Sequence, residues 1–448
     1  MQTFIMVAQL IAALSILVTV HELGHFLAAR LFKIRVDKFY LFFDFLFPLP
    51  NVLKFSLFKI KKGDTEYGLG WFPFGGYVQI AGMVDENMNT EQLNQPPQPW
   101  EFRSKPAWQR MIVMLGGIIF NVLLGIFIFA MISYTYGEKF LINSSVKHGI
   151  APSALAEEMG FHKGDRLISV NGKPIIHFED ALTGKLIMED KVVYIVNRNG
   201  ADTGIILPHD FLKKLTRGKR ALFFLPRTQV FAKRVTFNSN ADKAGLKSED
   251  QIIAINGNYF NCYDEFQPLL RSNANKSASL VVLRRADTVR LKVNVAKDST
   301  IGFQTYDKTF QYDSLQYSFF ASIPNGMVKA YENIEMQFKG WGKIFHGDIP
   351  VNKAVQGPVG LAQFFGTTWD WQNFWWITAL FSLGLAFANV LPIPALDGGH
   401  VVVLLIEMLI GRPLSIKIQE RIQTIGMVIL LSLFVLIFSN DIWNLISR

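Results

Sequence analysis

Apolar and polar positions alternate along this chain on a scale too long for one globular core. Four apolar segments stand out: about Thr3 to Arg30, Trp108 to Tyr136, Trp371 to Leu391, and a last one through Ile425 to Ile437 that starts at or before Ile425. An α-helix needs about 20 apolar residues to cross a bilayer, so these segments predict four transmembrane helices. Phe4 to Val20 carry no charge, no proline breaks the first segment, and no basic stretch precedes it. It reads as a retained span, not a cleaved signal peptide. Residues 39 to 62 are rich in Phe and Leu but contain prolines and lysines, and predict an interfacial or re-entrant element. Gly68 to Ile80 sets glycines around aromatic and β-branched residues and predicts a β-hairpin with an accessible edge. From Leu315 through Ile344, aromatic and apolar residues at roughly helical spacing predict an amphipathic helix that lies on the membrane or bridges to the core.

Between about 138 and 310 the pattern changes to short strand-like runs separated by turn residues, and it repeats. Gly160-Phe161-His162-Lys163-Gly164-Asp165-Arg166-Leu167-Ile168 aligns 85 residues later with Gly245-Leu246-Lys247-Ser248-Glu249-Asp250-Gln251-Ile252-Ile253. Each copy goes on to an Asn-Gly pair, Asn171-Gly172 and Asn256-Gly257, the strongest short signal for a tight hairpin turn. A small apolar helix end, an Asp turn, a buried strand and Asn-Gly together resemble the PDZ signature. PDZ domains bind extended peptides or C-termini by strand addition. A pair of them could equally act as a steric gate, and neither copy shows a clear carboxylate-binding loop.

The charge pattern supplies an orientation. No Lys or Arg precedes Arg30, whereas Lys33, Arg35 and Lys38 follow it closely. Arg103, Lys105 and Arg110 flank the start of the second segment, and Arg412, Lys417 and Arg421 lie between the third and fourth. By the positive-inside rule these clusters face the cytoplasm, leaving both termini and the repeat region outside. The formal charge of +9 is spread along the chain instead of packed in one run, so it reflects membrane topology and no nucleic-acid partner is expected. The single cysteine, Cys262, excludes an intrachain disulfide and a cysteine-based zinc site.

Chemistry enters at Val20-His21-Glu22-Leu23-Gly24-His25, inside the first span. On a helix His21 and His25 project from one face and can share a metal ion, and Glu22 lies near that face to exchange a proton with water. An ionisable residue at such depth is a functional hypothesis by default. A catalytic zinc usually has three protein ligands and an open position. Asp397 is the candidate third ligand, in Asn389-Val390-Leu391-Pro392-Ile393-Pro394-Ala395-Leu396-Asp397-Gly398-Gly399-His400. Pro392 and Pro394 break the third span at the cytoplasmic end, the depth also expected for the histidines. Two readings of Asp397 stand, metal ligand and helix N-cap, and one residue can serve both. His400 would close the open position and reads as a packing residue or one bonded to a ligand. Asn121, in the second span, reads as a structural residue bonding across helices, and Gly116 and Gly117 as a close helix crossing. An edge strand beside such a site would hold a substrate's backbone extended for attack.

These motifs together resemble the site-2 protease family of intramembrane zinc metalloproteases, in particular its RseP-type bacterial members with tandem PDZ domains. The resemblance spans nearly the whole chain. It implies a multi-pass protein of the bacterial inner membrane with one Zn²⁺ per chain, held by His21, His25 and Asp397, and Glu22 as the catalytic residue. It implies that Asn389 helps hold the unwound substrate and that the hairpin, at Gly75, Gly76, Tyr77 and Val78, pairs with it. The implied partners are a single-span membrane substrate (an anti-sigma-factor-like protein or a remnant signal peptide), the lipid bilayer, and a peptide or C-terminus at the PDZ pair. The expected architecture is a polytopic α-helical membrane protein with an associated β-hairpin and two inserted PDZ-like α+β domains. Its divisions are 1–137, a membrane core; 138–228 and 229–310, PDZ-like; 311–356, the connecting helix; and 357–448, the second half of the core. The rival readings are a non-catalytic scaffold that holds clients on its PDZ pair, and a metal transporter. A transporter would need a second polar cluster across the membrane, which none of the apolar segments supplies.

Overall fold

A computed structural model of the chain describes residues 2–46, 52–73, 75–83, 96–183, 186, 188–189, 191–208, 210–217, 223–285, 287–349 and 357–446. It divides into two compact units: Met1–Gly137 with Gln316–Phe345 and Pro350–Arg448, and Glu138–Leu315 with His346–Ile349.

The first unit is built on six long helices: α1 (Gln2–Leu31), α2 (Ala107–Tyr136), α3 (Phe319–Phe345), α4 (Trp371–Val390), α5 (Asp397–Ile410) and α6 (Ile416–Ile446). Four stretches, Thr3–Leu31, Ala107–Tyr136, Trp371–Val390 and Ile416–Ile437, are long and apolar enough to cross a membrane, matching the four predicted spans. The fourth starts well before Ile425. Helices α1 and α2 cross backbone to backbone at Gly24 and Gly116, where a Cβ on Gly24 would stand 2.3 Å from the Gly116 carbonyl oxygen. Small residues at such a crossing let two apolar helices approach where no hydrophobic force drives them together. Helix α3, the predicted amphipathic one, seats Gly326 on Ala130 of α2 and leaves Phe320, Tyr331 and Phe338 exposed.

Four strands among the described residues between 36 and 80 form one sheet, and here the structure corrects two expectations. Strands β1 (Val36–Leu41), β2 (Ser56–Lys62), β3 (Thr65–Gly70) and β4 (Tyr77–Ile80) lie in the order β2-β3-β1-β4. The segment read as interfacial or re-entrant thus supplies strands, as far as it falls within the described residues. Residues 68 to 80 are not a hairpin: β1 sits between β3 and β4, parallel to the first and antiparallel to the second. The tight hairpin is β2–β3, turning at Gly63 with φ 64°. A local glycine pattern marks turns but is blind to a third strand from 30 residues earlier inserting between them. The free edge survives the correction, because β4 ends the sheet. Gly76 brings β4 onto α1, since a Cβ there would stand 2.6 Å from the Tyr40 carbonyl oxygen and 2.8 Å from Val18 Cγ1.

Helix α4 stops at Val390, where Pro392 and Pro394 bar its continuation. The chain then loops through Leu391–Leu396 and restarts as α5, a helix the sequence reading did not separate. Asp397 is the first residue of α5 and Leu396 its N-cap, so the N-cap reading of Asp397 is set aside. The loop is gripped closely. A Cβ on Gly398 would meet the Leu391 carbonyl oxygen at 2.4 Å, and one on Gly426 of α6 would meet that of Pro394 at 2.1 Å.

The second unit opens on β5 (Glu138–Leu141) and β6 (Ile150–Pro152) and holds both copies of the repeat. The first folds as a sheet of β7 (Arg166–Val170), β8 (Lys173–Pro174), β9 (Val193–Arg198) and β10 (Ala201–Ile206), in the order β10-β9-β7-β8. After β11 (Phe224–Pro226), which pairs with β6, the second copy, with β12 (Phe231–Val235), β13 (Gln251–Ile255), β14 (Asn258–Tyr259), β15 (Ser277–Arg284), β16 (Asp287–Asn294) and β17 (Phe303–Tyr306), runs β16-β15-β13-β12-β17 with β14 on β13. Both Asn-Gly pairs take positive φ at both residues (47° and 76°, 50° and 81°), as a two-residue hairpin turn demands. The aspartates carry a role that the motif alone does not disclose. Asp165 is bound by Arg198 through Nε at 2.8 Å and a terminal nitrogen at 2.7 Å, and Asp250 is bound by Arg284 at the same two distances. Each arginine also donates to a glycine carbonyl, Gly160 or Gly245, at 2.7 Å. A bidentate arginine on a buried carboxylate is thus the shared centre of both copies. Strands β5 (Glu138–Leu141) and β18 (Tyr312–Leu315) pair antiparallel, so the two ends of this insertion lie side by side.

Candidate metal centre

His21 and His25 lie one turn apart on α1, almost completely buried, with rings edge to face at 4.8 Å. Their Nε2 atoms are 3.2 Å apart, and Asp397 Oδ2 lies 3.2 Å from the first and 3.3 Å from the second. These three residues are the metal-ligand group found among the described residues. The triangle has nearly equal edges. Ligands about 2.0–2.1 Å from a tetrahedral zinc stand about 3.3–3.4 Å apart, so the spacing fits that ion. Asp397 Oδ2 is buried and accepts no hydrogen bond, the condition of an atom shaped for a cation. The space is kept by Gly117 of α2, where a Cβ would stand 2.5 Å from both His21 Cε1 and His25 Nε2.

The far side of each imidazole is also held. His25 Nδ1 lies 2.8 Å from the Val113 carbonyl oxygen, which accepts its proton and leaves the Nε2 lone pair for a metal. His21 Nδ1 lies 3.1 Å from the carboxamide of Asn121, a fully buried residue of α2. An amide's nitrogen and oxygen exchange places by a half-turn, and the Asn121 oxygen is otherwise without a donor. With that oxygen toward Nδ1–H, His21 presents its Nε2 in the same way. Asn121 does bond across helices, as read from the sequence, but its partner is the candidate ligand His21. Asn389, in the last turn of α4, brings its Nδ2 within 3.4 Å of His21 Nε2.

A cavity of about 150 Å³ opens at this triangle, enough for several waters. Glu22 stands in its wall, as does Val78 of β4. Along an antiparallel ladder, backbone groups point alternately toward and away from the partner strand. β1 pairs with one side of β4, and β4 ends the sheet with its other side free and reaches the cavity through Tyr77 and Val78. Gly76 and Tyr77 line the cavity with Val78, whereas Gly75 stands outside its walls and packs against the Phe43 ring. His400 lines the cavity and is no member of the ligand triangle. Gln423 of α6 also lines it, a residue the sequence reading passed over. Its only signal was a polar residue in the run leading into the fourth span.

Comparison with known proteins bears on this geometry. Residues 9–433 match the family described as Peptidase family M50. The chain is 28% identical over 466 residues to a Vibrio cholerae serotype O1 protein named "Putative zinc metalloprotease", covering 97% of this chain and 98% of the other. It is 28% identical over 467 residues to "Regulator of sigma-E protease RseP" of Escherichia coli, covering 97% of each. It is 27% identical over 454 residues to "Regulator of sigma E protease" of Haemophilus influenzae, covering 97% and 98%. Membrane-length helices, a buried His–His–Asp group and a family match over nearly the whole chain agree: the chain belongs to peptidase family M50, the site-2 proteases, and is a membrane metalloendopeptidase.

Proposed function

We propose that the chain cleaves single-span membrane proteins at a zinc site held by His21, His25 and Asp397, one ion per chain, with Glu22 as the general base. The observation that carries this is the near-equilateral triangle of two Nε2 atoms and one carboxylate oxygen at 3.2–3.3 Å. Zinc, when bound, supplies Lewis acidity, which makes water nucleophilic near neutral pH and polarises the scissile carbonyl. Glu22 takes the proton from the attacking water and delivers it to the leaving amine. Val113 and Asn121 keep the imidazoles in the ligating tautomer. The free edge of β4, at Gly76, Tyr77 and Val78, receives the substrate as an added strand, which exposes amides that a helix hides. Asn389, at the mouth of the triangle, steadies that unwound segment.

The substrate class is anti-sigma-factor-like single-span proteins, with remnant signal peptides as a second source. The repeat region, residues 138–228 and 229–310, is read as a PDZ pair that admits substrates by size or holds a peptide end. The shared Asp–Arg clamps and Asn-Gly turns support two copies of one domain. The chain is placed in a bacterial inner membrane, with both termini and the PDZ pair outside and the site toward the cytoplasm, on the Lys and Arg distribution. The testing experiment is a cleavage assay on a single-span substrate with and without chelator. It is joined by expression of Glu22→Gln in the native host, to identify the membrane fragments that accumulate. Chelator-insensitive cleavage would remove the metal, and an unchanged fragment profile would remove the substrate class.

A further inference from the structure

We infer that Gln423 is a further substrate-binding residue, whose carboxamide pairs with the main chain of the unwound substrate. The inference rests on the proteolytic reading above. Gln423 is 5% exposed, makes no hydrogen bond through its carboxamide among the described residues, and lines both the cavity of Glu22 and Asp397 and a neighbouring cavity of about 440 Å³. Its neighbours on the same face of α6 show that this is particular to it. Gln419, one turn earlier, is satisfied by Glu407 Oε1 at 3.3 Å and the Leu414 carbonyl at 3.0 Å. Gly426, three residues later, presses on the Pro394 carbonyl. That contact turns the face toward the loop that carries Asp397 and sets Gln423 in the wall of the cavity beside it. Ile425 and Val428, on other faces, are exposed.

The chemistry of the substrate supplies the missing partner. A segment paired with β4 along one edge leaves its other edge of N–H and C=O groups bare, in a site between apolar helices. A carboxamide offers donors and an acceptor together, the complement of a peptide unit. Gln423 and the free edge of β4 both contribute to the cavity wall, so one extended segment can meet both.

The test uses the purified full chain and a single-span substrate peptide. Chelator-sensitive cleavage by wild type, and retention of the peptide by Glu22→Gln, are checked first; their failure counts against the proteolytic reading alone. Gln423→Leu is then expected to raise KM about tenfold, the loss of roughly one hydrogen bond, with zinc content unchanged and kcat within about threefold. Gln423→Asn, which keeps a shorter carboxamide, recovers part of the loss. In a Glu22→Gln background, Gln423→Cys is expected to form a disulfide with a cysteine beside the scissile bond, and Ile425→Cys is not. The native Cys262 is fully buried and does not compete. A wild-type KM in Gln423→Leu overturns the inference. So does the absence of cross-linking at 423 while the peptide is retained, even if KM rises.

Discussion

Replacing Gly117 with alanine adds one methyl group, and the structure places it where the two histidines stand. The new carbon would sit 2.5 Å from His21 Cε1 and His25 Nε2, and 2.7 Å from His21 Nδ1. Ordinary contact between such atoms is about 3.5 Å, so the rings or helix α2 must give by about 1 Å. The helices cannot separate freely, because Gly24 and Gly116 already meet backbone to backbone one residue away. The rings therefore move, and a zinc site tolerates ligand shifts of only about 0.2 Å. A displacement near 1 Å at reacting groups costs on the order of 100-fold in rate. Gly117→Ala is expected to keep its helical content, to lose most of its zinc by elemental analysis, and to cleave at least about 100-fold more slowly. Gly340→Ala is the control, because among the described residues nothing beyond its own helix backbone lies within 4 Å of its added carbon, and it should behave as wild type. Zinc content and cleavage within twofold of wild type in Gly117→Ala would refute the packing argument.

Other consequences follow from the same geometry. Asn121→Leu removes the group behind His21 Nδ1, and chelator competition should show zinc affinity lowered by about 10- to 100-fold with the fold intact. Asp397→Asn should lose zinc and activity together; full zinc occupancy in that variant would take Asp397 out of the ligand set. In the second unit, Arg284→Ala strands the buried Asp250 carboxylate and should destabilise that copy by about 3 kcal/mol, read as faster hydrogen exchange in β13 and β15. Burial pushes the Cys262 thiol up to about 11, so the reactive thiolate is scarce below that pH. Native protein at pH 8 should resist iodoacetamide, and unfolded protein should react at once; rapid native labelling would contradict the burial.

Much of this architecture was legible because its signals are local. Uninterrupted apolar runs mark the spans, His21 and His25 share a helix face by spacing alone, and Asn-Gly demands a turn. Prolines at 392 and 394 announced the break before Asp397. What escaped depends on partners distant in sequence. The position of β1 between β3 and β4 is a pairing decision that no glycine pattern records. The arginines that clamp Asp165 and Asp250 come 33 and 34 residues later, and only the folded sheet brings them back. Asn121 was recognised as a polar residue crossing between helices, but its partner depends on the register of α1 against α2. Gln423 was overlooked because one amide near the start of an apolar run carries no pattern at all.

The most direct measurement of the central claim is zinc content and peptide cleavage on the same preparation of Glu22→Gln. Glu22 is no ligand in this account, and its carboxylate moves the proton. The variant should carry one zinc per chain, as wild type does, and show no cleavage. Cleavage at the wild-type rate by Glu22→Gln, or zinc-free wild type that still cleaves, would contradict it.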